Sequence, residues 1–558
     1  MTDADLVFAG GPVFTADAAR TRTHAVAVRD GRIVAVGRAA EGLVGAATEV
    51  VDLAGRLLVP GFQDAHAHPA WGGLDLLRCD LRPAVDKAGY LARVGAYARA
   101  NPNETWVVGS GWSMPAFPGG TPLAADLDAV VPDRPVLLMN RDGHGAWVNS
   151  RALGLAGIDA RSPDPADGRI ERDGDGVPTG TLHEGAVSLV SRLLPPVTPD
   201  MMIRALLRGQ EYLHAFGVTA WQDAIVGTYG NAHDPAPTYL AAARAGQLTA
   251  RVVGALWFER DRGVEQVDEL RHRREAYTHG RFRATTVKIM QDGIPENFTA
   301  AMIDPYLSPC GCGQAKSGDK GSGITFFPRE LLLEAVPALD AAGFQTHFHA
   351  IGDRAVRDCL DAVEAAIRAN GRGDLRHHIA HLQIVHPDDV PRFGRLGVAA
   401  NLQFLWAVLE AQMIELNLPF LGPERATWQY PFRGLQGTGA VLTAGSDWPV
   451  STPNPLAAIH VAVNRTPAPT ETAAPSDGHE VFLPEQRLDL ASALAAYTSG
   501  SAWVNHLDDV TGTVTVGKEA DLAVLDRDPF GGPPTDIGGT RVLQTFVAGR
   551  RVFAAPDA

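Results

Sequence analysis

Residues 59–73, VPGFQDAHAHPAWGG, contain two histidines, His66 and His68, between an apolar run and a turn. Side chains two residues apart on a β-strand point to the same face, so the two imidazoles converge if this run is a strand. Pro69 and the glycines that follow are typical of a strand end. We therefore interpret the run as a strand with polar side chains at its C-terminal end, which is where the active sites of (β/α)8 barrels lie.

Apolar runs of the same kind alternate with helical patterns through the middle of the chain. They occupy residues 217–224, 285–293, 343–353, 377–385, 397–406 and 439–450. Alternating strands and helices predict parallel pairing, and the runs suffice for an α/β fold of the (β/α)8, TIM-like barrel type. The competing architecture is a doubly wound open sheet, which ranks lower because no glycine-rich phosphate fingerprint follows the first strand.

Both ends of the chain have a different pattern, with short apolar bursts separated by Asp-Gly or Ala-Gly turns. This pattern is typical of hairpins, and we expect the two ends to pair. The predicted organisation is a small β-sheet domain made of residues 1–60 plus 485–558, and a barrel of residues 61–484. A region rich in Gly and Asp, around 104–200, is interpreted as an insertion near the site.

Composition restricts the class of protein and its partners. The 558 residues are 45% hydrophobic and 20% charged, as in an ordinary globular protein with a large core. The net charge of −15 would repel nucleic acids and anionic membranes, and neither an export signal nor an apolar run of about 18 residues is found. We expect a cytoplasmic protein with a small-molecule substrate and no nucleic-acid or membrane partner. A homodimer is the expected oligomeric state only because it is the most common one among soluble oligomers.

The four cysteines are too few and too scattered for a disulfide framework, which fits a reducing compartment. Cys310 and Cys312 lie in the run SPCGCGQAKSGDKGSG. A soft-metal knuckle is the alternative for this pair, but a second pair at zinc-ribbon spacing is missing. We favour a loop.

Further polar side chains fall at the ends of the apolar runs: Lys288, His349, His381 and Asp447. Each alone has a structural explanation, such as a hydrogen-bonded core histidine or a surface lysine. Separate structural explanations for each residue would not account for all of them lying at the ends of different strands of one barrel. Neutral imidazoles and carboxylates are ligands of zinc and related divalent ions, so the set predicts a metal site.

The motifs PGFQDAHAH, HAIGD, AHLQ and GSDWP, with the strand lysine, resemble those of the metal-dependent amidohydrolase superfamily. NRDGHGAWVNS, PTGTLHEGA, VKIMQDG and GSDWPVSTPNPL are similar to the YtcJ-like branch, amidohydrolase family 3, which includes N-substituted formamide deformylase. The terminal GTVTVGKEADLAVLD is similar to the strand that returns to the superfamily's small β-sandwich. The resemblance runs nearly end to end, and it is specific for the superfamily rather than for a substrate.

The resemblance implies one or two divalent ions, with zinc as the expected metal. It makes His66 and His68 ligands of the first ion, and His349 and His381 ligands of the second. Lys288 matches a lysine that such enzymes can carbamylate, which would turn a cation into a bridging carboxylate. Asp447 matches the acid that binds the first metal and moves the proton of the attacking water.

The implied reaction is hydrolysis of a non-peptide amide C–N bond of the N-formyl or N-acyl type. A cyclic amide or imide hydrolase stays open, because it would differ only in its pocket. A deaminase is less favoured, since HAIGDRAV lacks the glutamate that follows the fifth-strand histidine in those enzymes. An inactive barrel that binds a small molecule is the alternative from another class, and the complete ligand set argues against it.

The residues around the metal set are assigned with alternatives. His347 is interpreted as a core residue or a support for a ligand, in preference to direct metal ligation. His144 is assigned to carbonyl polarisation or substrate contact, against a structural turn histidine. Glu184 and Asp292 either contact the ligand or cap turns. The remaining pocket candidates are Tyr430, Arg433 and the apolar walls Trp112, Trp147 and Trp448, which would favour an uncharged or partly aromatic substrate.

Overall fold

The computed structural model describes residues 3–229, 233–307, 321–469, 480–556 and 558. Within these residues the largest sheet contains eight parallel strands in consecutive order, labelled β1 to β8: Phe62–Ala67, Val218–Val226, Arg251–Trp257, Phe282–Met290, Gln345–Ala350, His378–His381, Ala399–Leu402 and Leu442–Ala444. A short strand, Thr278–His279, pairs antiparallel with β4. The sheet curves into a nearly closed barrel, so the predicted (β/α)8 fold is confirmed.

Hydrogen bonds join the end of β1 to the segment that follows β8. The amide of Asp447 donates to the carbonyl of His66 at 2.7 Å. The buried carboxylate of Asp64 accepts from the amides of His66 and Ser446, both at 3.0 Å. The C-terminal ends of the first and last barrel strands are therefore fixed next to each other.

The barrel strands are buried almost throughout, because side chains fill the interior and helices cover the outside. β3 is buried at every position, although it is absent from the runs noted in the sequence. The helices in and after the strand connections are Pro69–Leu76, Pro199–Ala215, Ala236–Arg244, Gln266–Ala276, Arg329–Ala341, Asp353–Asn370, Val390–Leu396, Leu418–Ala426, Phe432–Gly437, Pro455–Asn464, Leu490–Ala495 and Ser501–Val504. In Asp353–Asn370, Val356, Leu360 and Val363 recur at helical spacing and are buried in the main core.

A second sheet is formed by residues between β1 and β2. Its strands, in spatial order, are Gly168–Arg172, Pro178–Glu184, Gly145–Val148, Val136–Asn140, Val107–Trp112 and Cys79–Asp80. The helices beside it are Lys87–Ala100, Ala124–Asp128, Ser150–Ala156 and Ser188–Ser191. Trp112 and Trp147 pack with Tyr90 in a core of this region. The sheet begins at Cys79. We call this region the insertion sheet.

The two chain ends form two further sheets. One consists of Leu6–Ala9, Val26–Arg29, Arg32–Val36 and Glu49–Asp52, with the helical turn Arg38–Glu41 beside it. The other consists of Val13–Phe14, Arg22–Thr23, Leu58–Pro60, Leu522–Leu525, Val542–Val547 and Arg550–Ala554. Leu58–Pro60 pairs antiparallel with Leu522–Leu525, so strands from both ends share a sheet immediately before β1. The domain limits inferred from the sequence stay predictions.

Two expectations concern features outside the barrel. In the described part of the chain, none of the helices combines the length and apolar character needed to cross a bilayer. The loop predicted around Cys310 and Cys312 lies outside the described residues. Cys79 and Cys359 are buried and free.

Candidate active site

Polar side chains at the C-terminal ends of the barrel strands line one cavity of about 1150 Å³. β1, β4, β5 and β6 contribute a histidine or a lysine each, and the loops after β1 and β8 add two more side chains. All six predicted ligand residues line the cavity: His66, His68, Lys288, His349, His381 and Asp447. They are between 1% and 8% exposed. The structure thus brings together the complete set that the sequence singled out.

The most compact part of this set consists of His66, His381 and Asp447, whose ligand atoms all lie within 4.8 Å of one another. Asp447 Oδ1 is 3.4 Å from His66 Nε2 and 3.1 Å from His68 Nε2. The ring centroids of His349 and His381 are 4.4 Å apart. Imidazole nitrogens that converge on a carboxylate oxygen are a donor set for zinc and related divalent ions, so this group could hold a metal ion.

Several of these atoms lack hydrogen-bond partners among the described residues. Both ring nitrogens of His381 are buried without a partner, as is Nδ1 of His68. Buried polar atoms are normally paired, because removing one from water without a partner costs about 1–3 kcal/mol. A metal cation placed among these atoms would accept their lone pairs and so supply the missing partner. The residues present therefore fit a divalent metal.

The backbone at the site adopts an unusual conformation at three positions. His381, Asp447 and Glu184 have φ angles of 79°, 56° and 49°, in the left-handed region. Side chains other than glycine or asparagine rarely adopt it, because Cβ approaches the neighbouring carbonyl. All three residues line the cavity. Such strain persists only where the surrounding structure imposes it, and it concentrates at functional sites.

Burial and mutual charge control protonation in the cluster. Burial lowers the pKa of Lys288 to about 7, and the Asp447 carboxylate only partly offsets this. Burial, followed by the charge of Lys288, lowers the pKa of His66 to about 3, so His66 is neutral. Burial alone would raise the pKa of Asp447, but His66 and His68 hold it well below its usual range. Neutral imidazoles and an ionised carboxylate are the protonation states that metal ligation requires.

A second layer of side chains orients the ligand candidates. His347 Nε2 lies 2.9 Å from His66 Nδ1, and its other ring nitrogen bonds Gln222. Asp292 Oδ1 lies 3.2 Å from His349 Nδ1, and its two oxygens also accept three backbone amides, those of Ala301, Ile351 and Gly352. His347 thus supports a ligand candidate, which is one of the two roles considered for it, and Asp292 does the same.

His144 and Glu184 form a buried ion pair on the insertion-sheet side of the cavity. His144 Nδ1 is 3.0 Å from Glu184 Oε2, and Thr299 Oγ1 donates to Glu184 Oε1 at 2.9 Å. Burial would lower the pKa of His144, but Glu184 raises it above the ordinary value. The His144 ring centroid is 5.8 Å from that of His349. Glu184 therefore favours the protonated form of an imidazole that faces the metal-ligand cluster.

The other pocket candidates do not line this cavity. Trp112 is buried in the insertion sheet, where its indole N–H donates to Leu138 O at 2.8 Å. Trp448 is buried against Tyr212, with ring centroids 5.4 Å apart. Tyr430 is buried in the main core, and Arg433 is exposed on the helix that follows. Trp147 is also buried, and its N–H donates to Leu123 O. These tryptophans therefore give no support for an uncharged substrate.

Sequence reasoning missed three residues of the site. Trp71 lines the cavity and stacks on His68, with centroids 5.2 Å apart and an angle of 11°. Arg260 lines the cavity just after β3. Asp64 holds the β1 and β8 ends together. A signal existed for Asp64, because it has the same strand parity as His66. Arg260 follows a strand that the sequence pattern did not identify.

Comparison with known proteins agrees with this architecture. The model of the amidohydrolase family matches residues 49–553. A solved structure, an uncharacterized metal-dependent hydrolase from Pyrococcus furiosus, superimposes with a TM-score of 0.68 at 26% identity, covering 94% of this chain and 99% of that one. The fold and the cavity are therefore those of a metal-dependent hydrolase of the barrel type. This chain belongs to the amidohydrolase family.

Curated relatives extend over nearly the whole chain. Protein LONG AFTER FAR-RED 3 of Arabidopsis thaliana is 31% identical, covering 99% of this chain and 92% of the relative. The putative amidohydrolase YtcJ of Bacillus subtilis is 29% identical, covering 98% and 99%. The N-substituted formamide deformylase of Arthrobacter pascens is 28% identical, covering 98% and 97%. The predicted similarity to the YtcJ-like branch is confirmed.

Proposed function

We propose that the protein hydrolyses a non-peptide amide C–N bond of the N-formyl or N-acyl type, using a divalent metal centre with zinc as the expected ion. The observation that carries the proposal is the buried cluster of His66, His381 and Asp447, with unpartnered ligand atoms at the mouth of the barrel. The N-formyl preference is supported by the relative that is a deformylase of N-substituted formamides.

The ligand candidates divide into two groups. His66, His68 and Asp447 would hold one ion, and His349 and His381 a second, with His381 also close enough to His66 and Asp447 to contact the first. A divalent cation held by these residues would lower the pKa of a water molecule at the site toward neutrality and polarise a carbonyl oxygen. The chain contributes the fixed positions of these side chains, since His347 orients His66 and Asp292 orients His349.

Lys288 is proposed to be carbamylated and to bridge the two groups. Its burial lowers the pKa to about 7, so a substantial fraction of the amine is neutral near neutral pH. The neutral Nζ attacks carbon dioxide, an N–C bond forms, and one proton is released to solvent. The product is an anionic carbamate, which suits a site between two cations better than an ammonium group does.

Asp447 is proposed to move the proton during hydrolysis. Its carboxylate is ionised and lies between His66 and His68. In the proposed reaction Oδ1 accepts a proton from the attacking water and later donates it to the leaving nitrogen. The amine then leaves and the acid product remains.

His144 is proposed to polarise the substrate carbonyl from the opposite side. Glu184 raises the pKa of His144 and so favours its cationic form, and the ring faces His349. A positive N–H donor would stabilise the negative charge that develops on the carbonyl oxygen, a contribution typically worth ~10²–10³-fold in kcat. Glu184 keeps the imidazole oriented.

The proposal is tested with purified protein loaded with zinc or manganese. A panel of N-formyl amines, N-acyl amines, cyclic amides and amino-substituted heterocycles separates the proposed reaction from imide hydrolysis and deamination. We expect release of formate or another carboxylic acid together with an amine. Ammonia from the heterocycles, or ring opening alone, would contradict the amide assignment.

A matched pair of histidine variants links turnover to the metal centre. His381→Ala is expected to lower bound metal, measured by elemental analysis, and to abolish turnover. His386→Ala changes a partly exposed histidine that pairs with Asp388 outside the cavity, and should retain both metal and activity. If the two variants behave alike, the metal cluster is not the catalytic centre.

A further inference from the structure

Arg260 is a cationic side chain of the cavity that the proposed chemistry does not use. Arg260 lies three residues beyond the end of β3 and lines the same cavity as the ligand cluster. Its side chain is 19% exposed. It is therefore held inside the protein while still facing the space that a substrate would enter.

Aromatic rings hold the guanidinium of Arg260 in place. Its Cζ lies 3.6 Å from the ring centroid of Phe326, 5.5 Å from that of Tyr229 and 5.7 Å from that of Trp257. The faces of aromatic rings attract cations without occupying their N–H groups. The position of the group is thus fixed, and its donors remain available for other partners.

The hydrogen-bond donors of Arg260 are poorly satisfied. Nη2 is 3.1 Å from Met290 Sδ, a weak acceptor, and Nη1 is 3.7 Å from the half-exposed carboxylate of Asp167, beyond a normal hydrogen bond. The Tyr229 hydroxyl also contacts the guanidinium. Nε is buried and has no partner within the described residues. A guanidinium commonly binds a carboxylate or phosphate through two parallel hydrogen bonds, and none of the described carboxylates forms such a pair with Arg260.

Arg260 lies near residues that the proposed hydrolysis uses. Met290, which it contacts, is two residues beyond Lys288 on β4, and Trp257 lies opposite Lys288 in the register of β3 and β4. The charge of Arg260 also reaches Glu184, the partner of His144. Arg260 therefore stands between the metal-ligand cluster and the insertion-sheet side of the cavity.

We propose that Arg260 binds a carboxylate of the substrate, so that the amide hydrolysed here carries a negative charge beside the scissile bond. This inference rests on the proposed amide hydrolysis and adds the substrate class, such as an N-formyl or N-acyl amino acid. Tyr229 supplies a second donor, and Trp257 and Phe326 confine the side chain of Arg260. Neutral formamides are then poorer substrates than their carboxylated counterparts.

The test compares two substrates that differ only in the carboxylate: N-formylphenylalanine and N-formylphenethylamine. With the metal-loaded wild-type protein, kcat/KM should favour the anionic substrate. Arg260→Gln should lower kcat/KM for that substrate at least about 10-fold and change the neutral one by less than about twofold. Arg260→Lys should recover part of the loss. Equal changes for both substrates, or none, would overturn the proposal.

Two controls make the result specific. Arg262→Gln removes the same charge from an exposed position that pairs with Glu269, and should not alter the preference. Calorimetric binding of phenylacetate and 2-phenylethanol does not depend on turnover. Arg260→Gln should weaken the binding of phenylacetate about 10-fold and leave the binding of 2-phenylethanol unchanged. If neither formyl substrate is cleaved but the binding pattern holds, the proposed amide hydrolysis is wrong and the carboxylate-binding role of Arg260 is retained. If the wild-type protein does not bind phenylacetate more tightly than 2-phenylethanol, the carboxylate-binding role is wrong.

Discussion

The two sides of the cavity are built in different ways. On the barrel side, His66, His349 and His381 lie on separate parallel strands, and each is at most 5% exposed. On the insertion-sheet side, His144 and Glu184 belong to antiparallel neighbours, and the amide of Glu184 donates to the carbonyl of His144 at 3.0 Å. Strand parity alone places the barrel residues, whereas the pairing register places the others. The barrel side supplies the metal-ligand candidates, and the insertion side supplies the His144–Glu184 pair that faces them.

The largest effect is expected at Asp447, which belongs to the barrel side. Asp447→Asn removes the proposed proton acceptor while an amide oxygen remains in place. Turnover should fall ~10²–10⁴-fold, and metal content, measured by elemental analysis, should be close to that of the wild type. Asp388→Asn, a change to an exposed carboxylate, is the control. A fully active Asp447→Asn protein would rule out the assigned role.

The support behind the barrel ligands gives the next effect. Asp292→Asn weakens the group that orients His349, so the metal affinity should fall ~10–100-fold, measured by competition with a chelator. Asp340→Asn is a matched control, because Asp340 holds His377 in the same way, at 3.0 Å, outside the cavity. Similar losses in both variants would mean that the effect comes from a weakened fold rather than from the metal centre.

The barrel side was largely predictable from the sequence, and the reasons are local. His66 and His68 differ by two residues at a strand end, and Lys288, His349 and Asp447 also end apolar runs. In a parallel barrel all such ends meet at one face, so no information about distant contacts is needed. β3 was missed, but its absence from the predicted strands did not change the ligand set.

The insertion side was less predictable because its contacts depend on strands distant in sequence. His144 and Glu184 are 40 residues apart, and only the register of Gly145–Val148 against Pro178–Glu184 brings them together. Trp112 is buried in the core beside the insertion sheet, although Val108 and Ser110 of the same strand line the cavity. A tryptophan in the sequence does not indicate whether its side chain points into the cavity or into the core of the insertion sheet. The residues that line the cavity on this side could therefore be identified only from the structure.

A pH profile tests the insertion side directly. Because Glu184 raises the pKa of His144, the imidazole stays cationic to higher pH than an isolated histidine would. Glu184→Gln removes this interaction, burial then lowers the pKa, and the cation is lost at lower pH. The basic limb of kcat/KM should move to lower pH, and activity above the limb should fall roughly tenfold for each pH unit that the limb moves.

The same sheet contains a control for this variant. Glu171 pairs with His183 at 3.1 Å, and neither residue lines the cavity. Glu171→Gln should leave the position of the basic limb unchanged. A profile that is identical for wild type and Glu184→Gln would show that His144 does not act as a cation during turnover.

The smallest effect on catalysis is expected at Trp112, and it separates a core residue from a cavity wall. Trp112→Phe removes an indole N–H that bonds Leu138 O inside the insertion sheet. Its loss should cost roughly 1–3 kcal/mol of stability, seen as a lower Tm, while kcat/KM stays within about twofold. Trp71→Phe should show the reverse, a several-fold change in KM with little change in Tm, because Trp71 lines the cavity and stacks on His68. If Trp112→Phe instead changed KM at constant Tm, this side of the cavity would extend to the insertion core, and the substrate would reach further from the metal ligands than the structure indicates.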